Sequence, residues 1–593
     1  MLRLSLGMSR LVDIATLSLI LGSSAAASIV LTFFPCYATL CSEEYFPFET
    51  RVHLIIYYGF LILTTLFFIL RQYSQTARSL SGFHLFHQLP LLGKRITLGG
   101  LLLFVWILAV VGAPTALWLP AQDQFWGLRA DPLNWSSAKL LLTITGVTGH
   151  YADILLGLLI IPVSRNSLVG HAFSLHQSSL LFAHKMISYL FAIGATAHGV
   201  SYIVYATDGS SEGDKAKEEA FATGNPAMTL TESKQRSSWF TMTTYTGIGA
   251  LLPIFLIVLT SIPWIRRRHY NLFYYSHVFL GTIIFAASCI HASTDLYLLI
   301  PGLLLWFIDL IRRFFFGETN GLSRTVLATL KNANNGWVRI SLPASERTEL
   351  SVEKRVSSTQ PLCYYYLNFP SVSKLQNHPF TAAIPSSSVS GPVFLLQRTK
   401  GKKQKTLDKE WTWVLASMVP SPLSSLRLDV RLEGPYPIND SGFNSASHLI
   451  CIVGGTGVTG ACSLARWWLE TRRDASKFTL LWTVRHQEMA MFREWEELQD
   501  MSQSLTNMTV TAHISSEHGR LNAFQSLQQA LQPMDRLPEG AAWVYSSGPD
   551  ALLRSTEHAC IKAKNDIRLS KRGRGTVNWA VQDIAWYMAR WEV

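Results

Sequence analysis

Four histidines in two apolar stretches set the chemistry open to this chain. FAHKMISYLFAIGATAHG carries His184 and His198, and YYSHVFLGTIIFAASCIHAS carries His277 and His291, with the same interval of fourteen positions in each. On an α-helix at about 100° per residue, fourteen steps bring a side chain back to within roughly 40° of its starting direction, about 21 Å along the axis. Each helix then shows two imidazoles on one face, near opposite sides of a hydrocarbon core about 30 Å thick. Ionisable groups at that depth are costly and usually functional. A single membrane histidine is often explained by a hydrogen bond to a neighbouring helix, but the repeated interval points to a shared ligand. Two such helices side by side would hold two haems, one above the other, each clamped by an imidazole from either helix. Iron with two imidazole ligands has no open position, which suits electron transfer better than oxygen binding.

A second constellation lies near the other end of the chain. HLICIV enters the turn GGTGVTG, with Gly454, Gly455, Thr456, Gly457 and Gly460, and ACSLARWWLETRR leaves it as a helix. Glycines between a strand and a helix let the backbone approach a pyrophosphate, which the helix N-terminus favours electrostatically; a tight structural turn is the alternative. Arg485 follows the next strand, LLWTV, where an arginine either pairs with a 2′-phosphate and selects NADPH or is simply solvated. AAWVYSSGPD ends another strand in the turn Ser547-Gly548-Pro549, at the edge where a ligand crevice is expected.

The elements that position these residues follow from composition. The 593 residues are 49% hydrophobic and carry a net charge of +12, with a mean hydropathy of +0.21. Apolar residues concentrate before residue 317, in runs at 11–35, 52–70, 98–120, 138–163, 178–206, 244–265, 269–293 and 294–316. Most are long enough to cross a bilayer, giving eight spans. The first is either a retained span or a signal peptide, since Arg3 and Arg10 precede an apolar run ending in SSAAAS; a retained span is favoured.

Arg71, Arg78, Lys94, Arg95, Arg165, Arg266 to Arg268, Arg312 and Arg313 all fall on one side of that arrangement. The positive-inside rule makes that side cytosolic, and the sequon Asn134-Trp135-Ser136 falls on the other. Basic charge is thus explained by topology, and no nucleic-acid partner is expected. Both histidine helices then run outward, so His184 and His277 share the inner level and His198 and His291 the outer. His150 and Asp153, inside the fourth span, suggest structural hydrogen bonding more than a polar pocket, and His171 and His176, in or near an inner loop, are expected to face solvent or headgroups. Of seven cysteines, only Cys36 and Cys41 lie where an oxidised pair is expected.

From about residue 317, runs such as TVLATL, WVRISL, YYYLNF and VFLLQR read as strands of a small barrel. His378-Pro379-Phe380-Thr381 by itself reads as a proline turn, and GKKQKTLDKE as a solvated insertion. After about 446, alternating strands and helices imply a parallel sheet.

Together, the two His-x13-His helices, RRRHYNLFYYSH, YYYLNFPSVSKLQNHPFT, LEGPY, VGGTGVTG, LLWTVR and the SGP turn resemble the ferric reductase and NADPH oxidase superfamily, over roughly residues 98–590. The resemblance implies a multi-domain fold: an α-helical transmembrane bundle binding two haems, then a cytosolic ferredoxin-NADP reductase-like module. Its expected parts are two N-terminal spans (1–97), a six-helix haem-binding domain (98–316), an FAD-binding β-barrel (317–445) and an NADPH-binding α/β domain (446–593). It implies axial haem b ligation by His184 with His277 and by His198 with His291. His378, Pro379, Phe380 and Thr381 match an FAD-contacting HPFT motif, Trp411-Thr412 a Trp-Thr pair near the flavin phosphates, and Gly454 to Gly460, Arg485, Gly548 and Pro549 an NADPH site.

The sequence departs from the family at Ser547, where Cys-Gly-Pro is usual, at Pro437, where a glycine often follows Glu-Gly-Pro-Tyr, and at the ending Trp591-Glu592-Val593, where an aromatic residue usually covers the flavin. The expected activity is NADPH-dependent ferric-chelate reduction across a lipid bilayer, at the plasma membrane, feeding a separate iron transporter. A superoxide-generating oxidase using O2 is the alternative, and a haem protein that senses or binds without turnover belongs to a third class.

Overall fold

The computed structural model describes residues 2–589, apart from 87–95, 128–135, 165–166, 174, 176, 208–229, 313–324, 334, 344–360, 375, 386–390, 398–410, 420–423, 438–441, 473, 475, 533–539 and 571–578. The chain divides into two compact units, Met1–Leu310 and Ile311–Glu592. Asn134, His176 and Trp591, which figure in the expectations above, lie outside the described residues.

The first unit is helical: α1 (Leu2–Leu31), α2 (Pro47–Tyr73), α3 (Leu98–Gly112), α4 (Thr115–Gly127), α5 (Ser136–Ile160), α6 (Gln177–Thr207), α7 (Leu230–Ser261), α8 (Tyr270–His291) and α9 (Ser293–Ile311). Among the described residues, eight segments are long and apolar enough to cross a membrane. The third of them comprises both α3 and α4, broken at Ala113-Pro114, where proline withholds a backbone N–H. The last two are separated by the single extended residue Ala292.

Helices α5 and α6 pack along each other, as do α7 and α8. The N-terminal helices are tied in by a local defect in α9. Pro301 has no N–H for the carbonyl of Tyr297, one turn earlier. That oxygen instead accepts from Ser28 Oγ at 2.9 Å and Tyr58 Oη at 2.9 Å, and Tyr57 Oη donates to the neighbouring Leu298 carbonyl at 3.0 Å. In an apolar environment such carbonyls must be satisfied within the protein, so α1 and α2 are joined to α9 by polar bonds as well as by packing of Leu17, Ile20 and Leu54.

The second unit opens with an antiparallel sheet built from β1 (Thr325–Asn332), β2 (Trp337–Ser341), β3 (Cys363–Asn368), β4 (His378–Thr381), β5 (Val393–Gln397) and β6 (Ser425–Pro437). Its order is β4-β3-β6-β1-β2-β5. Just past β4, Ala383 N donates to Val393 O at 2.8 Å and Val393 N to Ile384 O at 3.0 Å. The two sheet edges therefore meet, and the sheet closes into the expected barrel around Leu330, Ile340, Leu367 and Phe394. The proline turn expected at 378–381 is instead strand β4, pairing with β3. It sits at the sheet edge, where Pro379 costs no ladder bond.

Strands β7 (His448–Gly454), β8 (Lys477–Val484), β9 (Met508–Ile514), β10 (Gly540–Ser547) and β11 (Val581–Ala589) form the expected parallel sheet, in the order β9-β8-β7-β10-β11. Central strand β7 is buried at every position, as a parallel strand covered on both faces must be. Helices α10 (Trp411–Ser417), α11 (Val458–Thr471), α12 (Arg493–Ser504) and α13 (Asp550–Ser570) are among the helices of this unit. Barrel and α/β lobe share a core: the Trp337 indole lies against Phe492 and Trp482 and donates to Met489 O at 2.9 Å. Arg339 beside it reaches the buried Glu494 carboxylate at 2.7 Å.

Candidate haem centres and nucleotide site

The four membrane histidines meet in the expected pairs. Ring centroids lie 6.2 Å apart for His184 and His277 and 6.1 Å apart for His198 and His291. Two metal–nitrogen bonds of about 2 Å, plus about 1.1 Å from each nitrogen to its ring centre, span about 6.2 Å. Each pair is therefore spaced for one iron between two imidazoles.

The other ring nitrogens are held from behind. His184 Nδ1 lies 3.1 Å from the Leu159 carbonyl and His198 Nδ1 2.8 Å from the Thr145 carbonyl, two acceptors fourteen residues apart on α5 that match the fourteen-residue interval on α6. Carbonyls only accept, so the proton sits on Nδ1 and the Nε2 lone pair is left for metal, as in ligating histidines generally. His277 Nδ1 lies 3.3 Å from Ser261 Oγ and His291 Nδ1 3.1 Å from Thr246 Oγ1, both on α7. Gly149 lets α5 approach this level closely, since a Cβ there would stand 3.1 Å from His198 Nδ1. The donor set and its supports fit haem iron.

A third group, His53, His150 and Asp153, is fully buried with its potential ligand atoms within 4.8 Å of one another. Its hydrogen bonds tie α2 to α4 and α5 to α9. Asp153 Oδ2 accepts from Thr294 Oγ1 at 2.7 Å and faces His150 Nδ1 at 3.2 Å. The Trp118 indole N–H donates to His53 Nδ1 at 2.8 Å, which places the proton of a neutral His53 ring on Nε2 and removes that nitrogen as a metal ligand. His150 and Asp153 thus serve the hydrogen bonding that the sequence favoured. Cys36 and Cys41 form the expected disulfide.

In the barrel, β4 presents His378, Pro379 and Phe380 half-buried and Thr381 buried. The Trp411 indole, at the start of α10, lies over the His378 ring with centroids 4.4 Å apart and 30° between the planes. This stack was not legible in the sequence, which offered only the Trp-Thr pair; Thr412 follows on α10, half-buried. Trp411 Nε1 is a buried donor with no hydrogen-bond partner among the described residues, which fits an oxygen-rich ligand such as a flavin nucleotide at this stack. Burial lowers the His378 pKa to about 4, so the ring is a neutral, apolar-faced surface at neutral pH.

At the C-terminal edge of the parallel sheet, the ends of β7, β8 and β10 bring Gly454–Gly457, Arg485 and Ser547-Gly548-Pro549 together. The glycines divide into two roles. A Cβ on Gly457 would lie 2.3 Å from Ser547 O, and one on Gly460 2.1 Å from Tyr545 Oη; these two admit close packing of the turn and α11 against β10. Gly455 instead has φ of +54° and open space where its Cβ would be, as a backbone surface for a pyrophosphate requires. Thr456 is exposed beside it, and Arg485 is exposed at the end of β8, with its carbonyl accepting from Ser516 N at 3.1 Å. The residues present fit a dinucleotide.

A multi-pass helical membrane unit joined to an FAD-binding barrel and a parallel nucleotide-binding lobe defines a transmembrane flavoprotein. Three family models match in order: ferric reductase like transmembrane component at residues 148–289, FAD-binding domain at 332–439, and ferric reductase NAD binding domain at 446–535. The chain belongs to the ferric reductase and NADPH oxidase superfamily.

It is 28% identical over 352 residues to a probable ferric reduction oxidase 1 of Arabidopsis thaliana, covering 58% of this chain and 42% of that protein. To ferric reductase transmembrane component 6 of Saccharomyces cerevisiae it is 24% identical over 341 residues, covering 56% and 42%. The chain thus spans about two fifths of the length of these relatives. Among solved structures, a flavohemoglobin from Malassezia yamatoensis is similar at 13% identity, with a TM-score of 0.31, covering 77% of this chain and 99% of that one.

Proposed function

We propose that this chain moves electrons from cytosolic NADPH, through FAD and two b-type haems, to a ferric chelate on the opposite side of the membrane, delivering Fe(II) for uptake by a separate transporter. The observation that carries this reading is the two histidine pairs, 6.2 and 6.1 Å between centroids, with each Nδ1 supported from α5 or α7. When bound, the flavin converts a two-electron hydride donor into single electrons, which haem irons can carry.

The chain's own residues supply the geometry. His184 with His277, and His198 with His291, would each hold one haem iron, whose chemistry would be electron transfer rather than binding of the acceptor. The carbonyls of Leu159 and Thr145 hold the imidazoles in the ligating tautomer. His378, Thr381 and Trp411 form the flavin surface, with Pro379 and Phe380 on the same strand and Thr412 toward the flavin phosphates. Gly455 lets the pyrophosphate approach the turn before α11, and Arg485 takes the 2′-phosphate. Gly548 and Pro549 bound the nicotinamide side. The loops rich in Arg and Lys face the cytosol, together with the FAD and NADPH domains, and the membrane is the plasma membrane.

The deciding experiment is NADPH-driven reduction of a membrane-impermeant ferric chelate at the outer face, with and without superoxide dismutase. Reduction that survives the dismutase supports direct transfer to iron. Loss of the signal, with superoxide detected in its place, would make oxygen the acceptor. Bound FAD with no NADPH oxidation by any acceptor would reject turnover altogether.

A further inference from the structure

We infer that Thr246 and the disulfide-closed loop 36–41 act as a positioning clamp on His291, tuning the haem centre shared with His198 and leaving the other centre unaffected. The inference rests on the two-haem reading above. It makes Thr246 and Thr39 positioning residues, and it makes the redox state of Cys36–Cys41 an input to one haem.

The four histidines are not supported alike. His184 and His198 face backbone carbonyls, which only accept, so their tautomer is settled by α5 alone. His277 and His291 face hydroxyls, which either donate or accept. A hydroxyl supports the ligating tautomer only when its own proton is committed elsewhere. For Thr246, one partner within reach comes from a different part of the chain. Thr39 Oγ1 lies 3.2 Å from Thr246 Oγ1, and its single proton serves the His291 carbonyl at 2.9 Å, with the Ile290 carbonyl at 3.1 Å as the alternative acceptor. One donor order runs through these groups: His291 Nδ1–H to Thr246, Thr246 O–H to Thr39, and Thr39 O–H to His291 O. The ring of bonds starts and ends on the same ligand.

The loop that brings Thr39 is itself seated on the ligand. Thr39 N donates to Ile290 O at 2.9 Å, Leu40 N to His291 O at 2.9 Å, and Ser293 N to Leu40 O at 3.1 Å. The first two bonds occupy the last carbonyls of α8, which a helix end must satisfy from outside. Cys36 and Cys41 close the loop across Thr39 and Leu40, five positions apart. Beside Thr246, Gly247 lets α7 lie flush with the imidazole, since a Cβ there would stand 3.3 Å from His291 Cε1. The His277 support, Ser261, is at the far end of α7 from this loop.

An acceptor at Nδ1–H raises the basicity of the imidazole and so favours the ferric state of its iron. Weakening that bond raises the midpoint potential. A tenfold change in relative ferric and ferrous stability, the low end of what such supports contribute to metal affinity, is about 59 mV for one electron. Cleaving the disulfide releases the loop from its closed form. A membrane-impermeant phosphine does this with balanced chemistry: phosphine, disulfide and water give phosphine oxide and two thiols.

The test is spectroelectrochemical titration of the purified full-length chain, with haem content read by the pyridine haemochrome, for wild type, Thr246→Val, Thr246→Ser, Thr39→Val, Ser261→Ala and phosphine-treated wild type. One of two haem components shifts upward by about tenfold in its redox equilibrium in Thr246→Val, Thr39→Val and the phosphine-treated sample, and Thr246→Ser restores it. Ser261→Ala shifts the other component. Loss of one haem per chain in Thr246→Val, with both kept in Thr246→Ser, also supports the clamp. Variants that keep both haems with both midpoints unmoved, or that move both equally, overturn it. Phosphine treatment without effect overturns the role of the disulfide. Wild type carrying fewer than two haems refutes the parent reading instead, before any variant is compared.

Discussion

Replacing Gly455 by alanine should separate nucleotide binding from stability, because the two glycines on either side of Thr456 meet opposite surroundings. At Gly457 the new Cβ would lie 2.3 Å from the Ser547 carbonyl oxygen. That oxygen is backbone in a buried strand, so no rotamer relieves the overlap, and overpacking of this kind costs about 1–3 kcal/mol or more. At Gly455 the Cβ meets nothing within 4 Å. Its only folding cost is the left-handed backbone at φ of +54°, about 1–2 kcal/mol for an L residue. The same methyl group nevertheless stands on the surface where the pyrophosphate must come within hydrogen-bonding distance of the backbone, and should displace it.

Hydrogen exchange of the amides in α11 reads the stability of the turn, and NADPH titration of flavin reduction reads binding. Gly457→Ala should speed exchange by roughly tenfold or more, from the cost above. Gly455→Ala should change exchange less, while weakening NADPH by at least tenfold, about 1.4 kcal/mol. Wild-type NADPH affinity in Gly455→Ala would refute the assignment of Gly455 as the ligand-facing glycine.

Three further outcomes follow from named contacts. His184→Ala should remove one haem and keep the His198–His291 centre, seen as half the pyridine haemochrome absorbance; full haem content would reject the pairing. Arg339→Met should destabilise the FAD and nucleotide lobes by about 3 kcal/mol by stranding the buried Glu494 carboxylate, and Glu494→Gln in the same chain should recover most of the loss, measured by denaturant titration followed by flavin fluorescence. His378 is held neutral in the folded barrel, with its pKa lowered to about 4 by burial, against about 6.5 unfolded. The unfolded chain therefore binds more protons in that interval, and its contribution is present above pH 6.5 and is lost as pH falls toward 4. That loss is on the order of 3 kcal/mol, and His378→Gln should flatten the pH dependence of flavin release in that window.

What the sequence determined alone was whatever depends on local period and local chemistry. The fourteen-residue interval sets two imidazoles on one helix face before any partner is known. Continuous apolar runs set the spans, and alternating or buried runs such as TVLATL and HLICIV set strands. Glycine between a strand and a helix marks the nucleotide turn, and Cys36 with Cys41 stand close enough along the chain to pair.

Tertiary structure decided what depends on residues far apart. HPFT is an edge strand rather than a turn because β3 pairs with it, which no reading of Pro379 alone could supply. Trp411 covers His378 only because α10 folds back over the barrel. The glycines of one turn divide between packing and ligand access because Ser547 and Tyr545 come from another strand, about ninety residues later. The same holds for the haem ligands: their interval is local, but the atoms that fix their protons are Leu159 and Thr145 on one helix and Ser261 and Thr246 on another. Periodicity is a property of the chain, whereas a hydrogen-bond partner is a property of the fold.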